Sequence, residues 1–525
     1  VAVRSLDTTG QYLPLGNPNN AMALNGPVQG HLLGVSSFSN AGLIDLTANP
    51  HVGDVLVISG GRTAGVDGGG VFVANGGSLK LNSVLNAGGN AGRSQSDMLV
   101  LDSTRLGSAP TGISISNIGG QGATPTLGNG IALVEVLNKQ ASAPGVFTLS
   151  TAAVAGVHEY LLYQGGNERT GGNPADGNWY LRSEIAVPPT PPSPPDPTPP
   201  VPSFHPLFRP EVGAYLSNRR QASGMFLHSL HDRLGEPQYD QEPGADEPEK
   251  KRKSAWLRIV GKSTHARTSD SVFQVKSDST LIQGGGDFVR WATGEDDESR
   301  AYLGGMLAYG QARSDATAEY NQRKAHSEVD GWSLGLYGTW FQNDATKLGA
   351  YVDVWGQLGL FNSSMEGERL PEVNYNGRSI NLSGEVGYAM RVLSSEWIVE
   401  PQAQLVYVKY NEDEITEPNG TRIAGSNDSA WVSRLGLRTY GTWIHNGRKL
   451  QPFLTLNWWH DTADNALAFN SVTVEDVYPN NRYEVKLGLH ADFSKGWTGW
   501  GNVGYLWGKQ DFKTTSLRLG VKYMW

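Results

Sequence analysis

The sequence predicts an all-β protein in two parts: a parallel β-solenoid in front and a 12-stranded antiparallel transmembrane β-barrel behind. A Pro-rich linker and a single helix join them. Three observations predict this layout. From Ser254 onward the chain is a series of long segments whose hydrophobicity alternates with a period of two. The front region consists of short β-branched runs punctuated by Gly and Asn. Between the two, ten prolines fall within positions 188–202.

Composition narrows the classes before any motif is considered. The 525 residues contain no cysteine, which removes disulfides, thiolate metal sites and thiol nucleophiles together. Lys and Arg total 42 against 51 Asp and Glu, a net charge of −9, so no nucleic-acid partner is expected. No run reaches 18 consecutive apolar residues, which excludes a spanning helix. It leaves a spanning barrel open, because a barrel announces itself by alternation. Of the 15 tryptophans, 14 lie between Trp256 and Trp525.

Residues 1–130 carry only five basic and six acidic side chains. Strand-like runs recur at 42–46, 54–60, 70–77, 78–85, 97–103 and 112–119. Each is too short to bury a face alone, and stacking them as coils would turn Val, Ile and Leu inward. An irregular β-sandwich is the alternative. Gly-rich pieces such as 65–70 and 119–122 do not sit between a strand and a helix, so they are turns rather than phosphate cradles.

Residues 131–187 differ. The runs at 131–138, 145–151, 158–166 and 178–184 are richer in aromatics and poorer in Gly. They are expected to form a cap that closes the last coil and hides its open edge. Residues 188–210 follow as a Pro-rich linker, and its proline segment, 187–202, is read as an extended spacer of roughly 45 Å at ~3.1 Å per residue.

Residues 211–235 hold the one strong helical pattern, with Val212, Tyr215, Leu216, Ala222, Phe226, Leu227, Leu230 and Leu234 at three- and four-residue steps. Pro210 precedes it, Glu211 suits its N-terminal end and Gly235 can stop it. One continuous helix here would reach roughly 36 Å, about a bilayer thickness. Its other face carries Arg219, Arg220, His231, Asp232 and Arg233, which suits a polar lumen rather than lipid. An ordinary surface helix is the alternative. A charged connection, 236–253, leads to the barrel at 254–525.

In 481–493, Tyr483, Val485, Leu487, Leu489, Ala491 and Phe493 alternate with Arg482, Glu484, Lys486, Gly488, His490 and Asp492. The segments 380–392, 398–408 and 516–525 repeat this pattern. A soluble antiparallel sheet with a wet face alternates as well. Lipid is favoured by segment length, by aromatics near segment ends (Trp256, Trp291, Trp340, Trp397, Trp443, Trp497, Trp507, Trp525), and by the need to satisfy every backbone group inside hydrocarbon. Twelve such segments are counted, an even number that suits a single-chain barrel.

FRPEVGAYLSNRRQASGMFLHSLHDRLGE (208–236), the alternating strands and the terminal Trp525 resemble the translocation unit of monomeric autotransporters of type V secretion, of the diffuse-adherence adhesin and pertactin-like subtype. GNGIALVEV (128–136), FTLS (147–150) and NWYLRSE (178–184) are similar to that family's autochaperone junction. The resemblance implies a truncated, right-handed parallel β-helix passenger with an autochaperone cap in which Phe147, Trp179 and Tyr180 take part. It implies a pore helix contributing Glu211, Tyr215, Asn218, Arg219, Arg220, Phe226 and Arg233. It further implies a barrel assembly signal at Leu517, Leu519, Val521, Tyr523 and Trp525. The implied location is the outer membrane of a Gram-negative bacterium, with the passenger on the cell surface. The implied partners are outer-membrane lipid, the barrel assembly machinery, periplasmic chaperones, and a host surface or a neighbouring cell's passenger. No signal peptide is visible, so the chain is expected to begin within the passenger.

No catalytic, metal or cofactor residue is expected. No G-x-S-x-G occurs in 1–187, and His31, His51 and His158 are scattered. His228 and His231 stand three apart without a third ligand in range. Some relatives cut themselves in the pore helix at an Asn-Asn pair, whereas here Arg219 follows Asn218. The function expected is self-export of a passenger acting in adhesion or self-association. The alternatives are the same translocator with an enzymatic head outside this chain, or an outer-membrane channel.

Overall fold

The computed structural model describes residues 4–6, 12–14, 28–89, 96–187, 203–235, 253–294, 298–344, 346–392, 397–425, 429–445, 448–463, 466–494 and 496–525. The expectations for 188–202 and for most of 236–253 lie outside these residues.

The front region is a parallel solenoid of about three turns with three faces. On the first face Gln29–Leu33, Val55–Ser59, Met98–Leu101 and Ile131–Val136 pair in parallel. The second joins Ser37–Asn40, Val71–Asn75 and Ser103–Ala109. The third joins Leu43–Asp45, Ser78–Ser83, Thr111–Asn117 and Phe147–Leu149. The sequence runs are thus consecutive faces of a coil, not one coil each. Ser103–Ala109 was not among them, because its exposed polar residues break the β-branched pattern.

Stacking puts like above like. Phe38 and Phe72 stack at 5.9 Å, Phe72 and Phe147 at 5.6 Å, and Phe147 meets Trp179 edge-on at 5.4 Å. Such pairs add about 0.5–1.5 kcal/mol each beyond their area. Buried aspartates tie the turns. Asp97 accepts N–H bonds from Gly53, Asp54 and Asn82, and Asp102 accepts from Gly60 and Gly70. Past Ile131–Val136 the sheet turns antiparallel through Trp179–Arg182, His158–Gln164 and Ala153–Ala155, which covers the edge of the last coil.

The spacer reading is corrected. Glu184–Val187 pairs antiparallel with Ser203–Pro206, so the two flanks of the Pro-rich stretch lie side by side rather than a spacer's length apart. The pairing wins because both flanks are short extended strands with free edges.

Twelve strands form the barrel: β1 (Ser254–Arg267), β2 (Phe273–Ala292), β3 (Arg300–Ala318), β4 (Lys324–Phe341), β5 (Gly349–Gly367), β6 (Val373–Arg391), β7 (Trp397–Glu412), β8 (Ser429–Gly441), β9 (Arg448–Asp461), β10 (Asn481–Ser494), β11 (Trp497–Gly508) and β12 (Lys513–Met524). Each pairs with the next, and β12 returns to β1 over twelve residue pairs, from Ser254↔Met524 to His265↔Lys513. Closure removes both edges and satisfies the backbone throughout the span.

Parity sorts the side chains as alternation requires. Leu487, Leu489, Tyr483 and Phe493 face outward, while Arg482, Glu484, Lys486 and His490 are buried inside. One girdle assignment fails: Trp256 is 3% exposed and faces the lumen, where its Nε1 donates to Tyr337 Oη at 3.2 Å. It shares parity with the inward Arg258 and Val260. The outer surface carries two aromatic rings. Trp291, Trp397, Trp443, Trp497 and Trp525 lie at the chain-terminal end, and Trp332, Trp431, Trp458 and Trp507 toward the other.

Candidate functional site in the barrel lumen

The two longest interstrand connections, 413–428 and 462–480, lie at the end away from Ser254 and Trp525, as an extracellular face requires. They contribute a four-stranded sheet of Ile415–Thr416, Arg422–Gly425, Leu467–Phe469 and Val472–Val474. The solenoid rests on this mouth. Gly156 N donates to Thr421 Oγ1 at 3.0 Å, and Asn117 Nδ2 to the Asn419 carbonyl at 3.0 Å.

The chain enters the lumen at Arg209. Its guanidinium donates to the Gly156 carbonyl at 2.7 Å and pairs with Glu417, also at 2.7 Å. Tyr215 Oη donates to the same carboxylate at 3.1 Å. Beside it, Arg323 Nη1 donates to Glu211 Oε1 at 2.7 Å, neutralising the first acid of the helix.

Inside the lumen lie α1 (Glu211–Gly224) and the short α2 (Leu230–Leu234). The single long helix of the sequence reading is corrected. The 14 residues of α1 span about 21 Å at 1.5 Å each, and the chain then breaks over 225–229. The wall competes for the backbone at this point. Leu230 N, which a continuous helix would give to the Phe226 carbonyl, donates to Glu385 Oε2 at 3.0 Å. Gln357 Nε2 takes the Phe226 carbonyl at 3.2 Å, and Gln404 Nε2 takes that of His228 at 2.9 Å. Ser229 then restarts the helix with a capping box to Asp232.

Each named helix residue meets the wall. Arg219 Nη1 donates to Glu412 at 2.7 Å, and Arg220 pairs with Asp461. Asn218 Nδ2 donates to the Glu328 and Ser364 carbonyls and to Tyr375 Oη. Phe226 packs on Phe361 with ring centres 5.4 Å apart. Arg233 grips Asp353 with both terminal nitrogens, at 2.6 and 3.2 Å, beneath the Tyr337 ring. His231 Nε2 lies 2.6 Å from Glu400 Oε1, and Asp232 accepts from Lys486 Nζ at 2.9 Å. Gly235 leaves α2 at φ +68 with Trp500 and His490 so close that no Cβ fits.

The other sequence-predicted residues lie elsewhere. Phe147, Trp179 and Tyr180 are buried in the solenoid cap, and Tyr180 Oη donates to Asp176 at 2.8 Å. Leu517, Leu519, Val521, Tyr523 and Trp525 line the last strand, where Tyr523 stacks on Trp497 at 4.6 Å. Among the described residues no group of His, Asp and Glu could hold a metal.

The sequence reading missed Arg209, Arg323 and Glu417, which sit in connections where no periodicity marks them. It also passed over Asp353, whose charge at an inward parity position was the available signal.

Two family models match: the Autotransporter beta-domain over residues 255–504 and the Autochaperone Domain Type 1 over 50–162. The second begins well inside the solenoid rather than at the cap. The protein YdeU of Escherichia coli K12 is 34% identical over 90% of this chain and 98% of its own length. The autotransporter adhesin AIDA-I of Escherichia coli is 26% identical over 74% of this chain, which spans 29% of it. The crystal structure of the AIDA-I transport unit superposes with a TM-score of 0.52 at 24% identity, covering 60% of this chain and 99% of that one. The barrel thus sits in the outer membrane with the solenoid on the cell-surface side, and the chain belongs to the autotransporter family.

Proposed function

We propose that the barrel, having served the export of its own N-terminal part, holds the exported solenoid at the cell surface through the lumenal helix, and that the exported part acts in adhesion or self-association. The supporting observation is the continuity of the chain from cap to mouth to lumen, with α1 and α2 ion-paired to the wall at both ends. The adhesive role follows from the adhesin named among the relatives. No residue here is assigned a catalytic role.

In this scheme Leu517, Leu519, Val521, Tyr523 and Trp525 present the last strand to the barrel assembly machinery, and periplasmic chaperones keep the chain unfolded beforehand. Without cysteines, no disulfide locks it in transit. Phe147, Trp179 and Tyr180 form a first buried cluster from which coils propagate toward the N-terminus. The Asn218 amide nitrogen, held by three acceptors, is not free to attack its own carbonyl, so the helix stays joined to the solenoid.

Protease shaving of intact bacteria expressing the chain tests the layout. The expected result is release of the solenoid and retention of a fragment beginning near residue 203. Protection of the solenoid until the cells are lysed would place it on the wrong side of the membrane.

A further inference from the structure

We infer that the lumen holds a binding site for one small oxyanion of the phosphate class, centred on Lys262 and Arg258 of β1. The break between α1 and α2 leaves a cavity of about 170 Å³ against this wall. That volume holds about five waters, or one oxyanion with part of its shell. Six lining side chains are Arg or Lys and three are Asp or Glu.

Most of these charges are already matched. Arg219 meets Glu412, while Arg220 and Arg482 share Asp461. Arg518 lies 3.3 Å from Glu484 and 3.6 Å from Asp232, and Lys486 takes the rest of both carboxylates. Two cations remain. Among the described residues neither Arg258 nor Lys262 has a carboxylate within 4.0 Å. Arg258 is 3% exposed, and its Nε and Nη1 donate to Gln283 Oε1 and the Asp232 carbonyl. Its Nη2 is buried without an acceptor.

The two residues stand four apart on the inward face of β1, and both line this cavity. Ser223 and Gln221 of α1 line the opposite side and Ser516 of β12 the flank. A buried unpaired guanidinium is costly, and an oxyanion meets it with a charge-assisted bond. An anion there would bridge the wall at Arg258 and Lys262 to the hydroxyl and amide of Ser223 and Gln221 on α1.

Equilibrium dialysis of ³²P-orthophosphate against the detergent-solubilised full chain tests the site at constant ionic strength set with chloride. About one phosphate per chain should bind, displaced by sulfate and not by extra chloride, with affinity at least tenfold weaker in Lys262→Met and in Arg258→Gln. Lys276→Met, on the outer face, should bind as the parent does. Heat-dependent gel mobility separates folded variants from misfolded ones, and Arg258→Gln decides if Lys262→Met fails to fold. Absence of phosphate binding, or full binding by a folded Lys262→Met or Arg258→Gln, overturns the site.

Discussion

Arg323, on the connection between β3 and β4, holds both carboxylate oxygens of Glu159 in the solenoid cap, with Nε and Nη2 each donating at 2.8 Å. Its Nη1 reaches Glu211 at the start of α1. One guanidinium thus joins the three parts of the molecule. Only a folded cap delivers Glu159 to this position, so the contact reports that the cap has formed.

Arg323→Met leaves Glu159 and Glu211 as facing carboxylates without their cation. Removing one partner of a buried pair costs about 3 kcal/mol or more. Amides of the cap strands His158–Gln164 and Trp179–Arg182 should exchange roughly a hundredfold faster, while those of Val55–Ser59 change little. Equal acceleration in both coils would mean that Arg323 does not anchor the cap.

Arg233 and Asp353 are both fully buried near the terminal end of the lumen. Arg233→Met strands Asp353 at about 3–5 kcal/mol, whereas Arg233→Met with Asp353→Asn leaves no charge behind. Planar-bilayer recordings should show frequent large openings for the single variant and fewer for the double. Identical recordings for both would show that the pair does not hold the plug.

Burial pushes the Asp97 carboxyl up to about 6, against the N–H bonds of Asn82, Asp54 and Gly53, and with Asp54 nearby. Its folded value lies above the unfolded 3.8, so the folded state binds more protons between these two values. The Asp97 contribution to solenoid stability should therefore fall as pH rises from about 4 to about 6 and then level off, against the opposite contribution of His158, whose imidazole burial pushes down to about 4. Asp102, also desolvated, is held below the ordinary value by Gly60, Gly70 and Ser59, so it stays ionised across that window. Hydrogen exchange in Ser78–Ser83 should slow on acidification from pH 7 to 5, after correction for intrinsic rates. In Asp97→Asn, less stable overall for want of an acceptor, this part of the slope should be lost, leaving what Asp54, also raised by burial, and His158 contribute. Identical slopes in the parent and in Asp97→Asn would contradict this account.

Leu336 on β4 lies midway between Trp332 and Trp340 and is 61% exposed on the outer face. Leu336→Arg should cost about 2–4 kcal/mol if that face meets the bilayer midplane. Leu336→Ala should cost far less. Refolding into lipid vesicles over a urea series, read by gel mobility, compares them; equal midpoints would mean the position is wet.

The barrel was legible because alternation is a local property. In Asn481–Ser494, parity alone placed Arg482, Glu484 and Lys486 inside and Leu487 outside. Trp256 was misplaced because an aromatic near a strand end reads as a girdle unless its parity is followed. The helix break was not legible: Glu385, Gln357 and Gln404, which draw the backbone apart at Phe226 and Leu230, come from strands more than a hundred residues away. Nor was the mouth cluster, since Arg323 and Glu417 sit in connections without a repeating pattern. The pairing of Glu184–Val187 with Ser203–Pro206 also escaped, because composition describes a proline tract and not where its ends meet.

The chain has no native cysteine, so a single engineered pair reports on the helix without background. Ser217 Oγ of α1 lies 2.8 Å from Ser314 Oγ of β3, a separation that two sulfurs in their place can bridge. Ser217→Cys with Ser314→Cys, oxidised in intact outer membranes, should give one intramolecular disulfide seen as a reducible shift in gel mobility. Failure to form it, with the thiol introduced on α1 instead labelled by a membrane-impermeant maleimide, would put α1 outside the lumen and contradict the account.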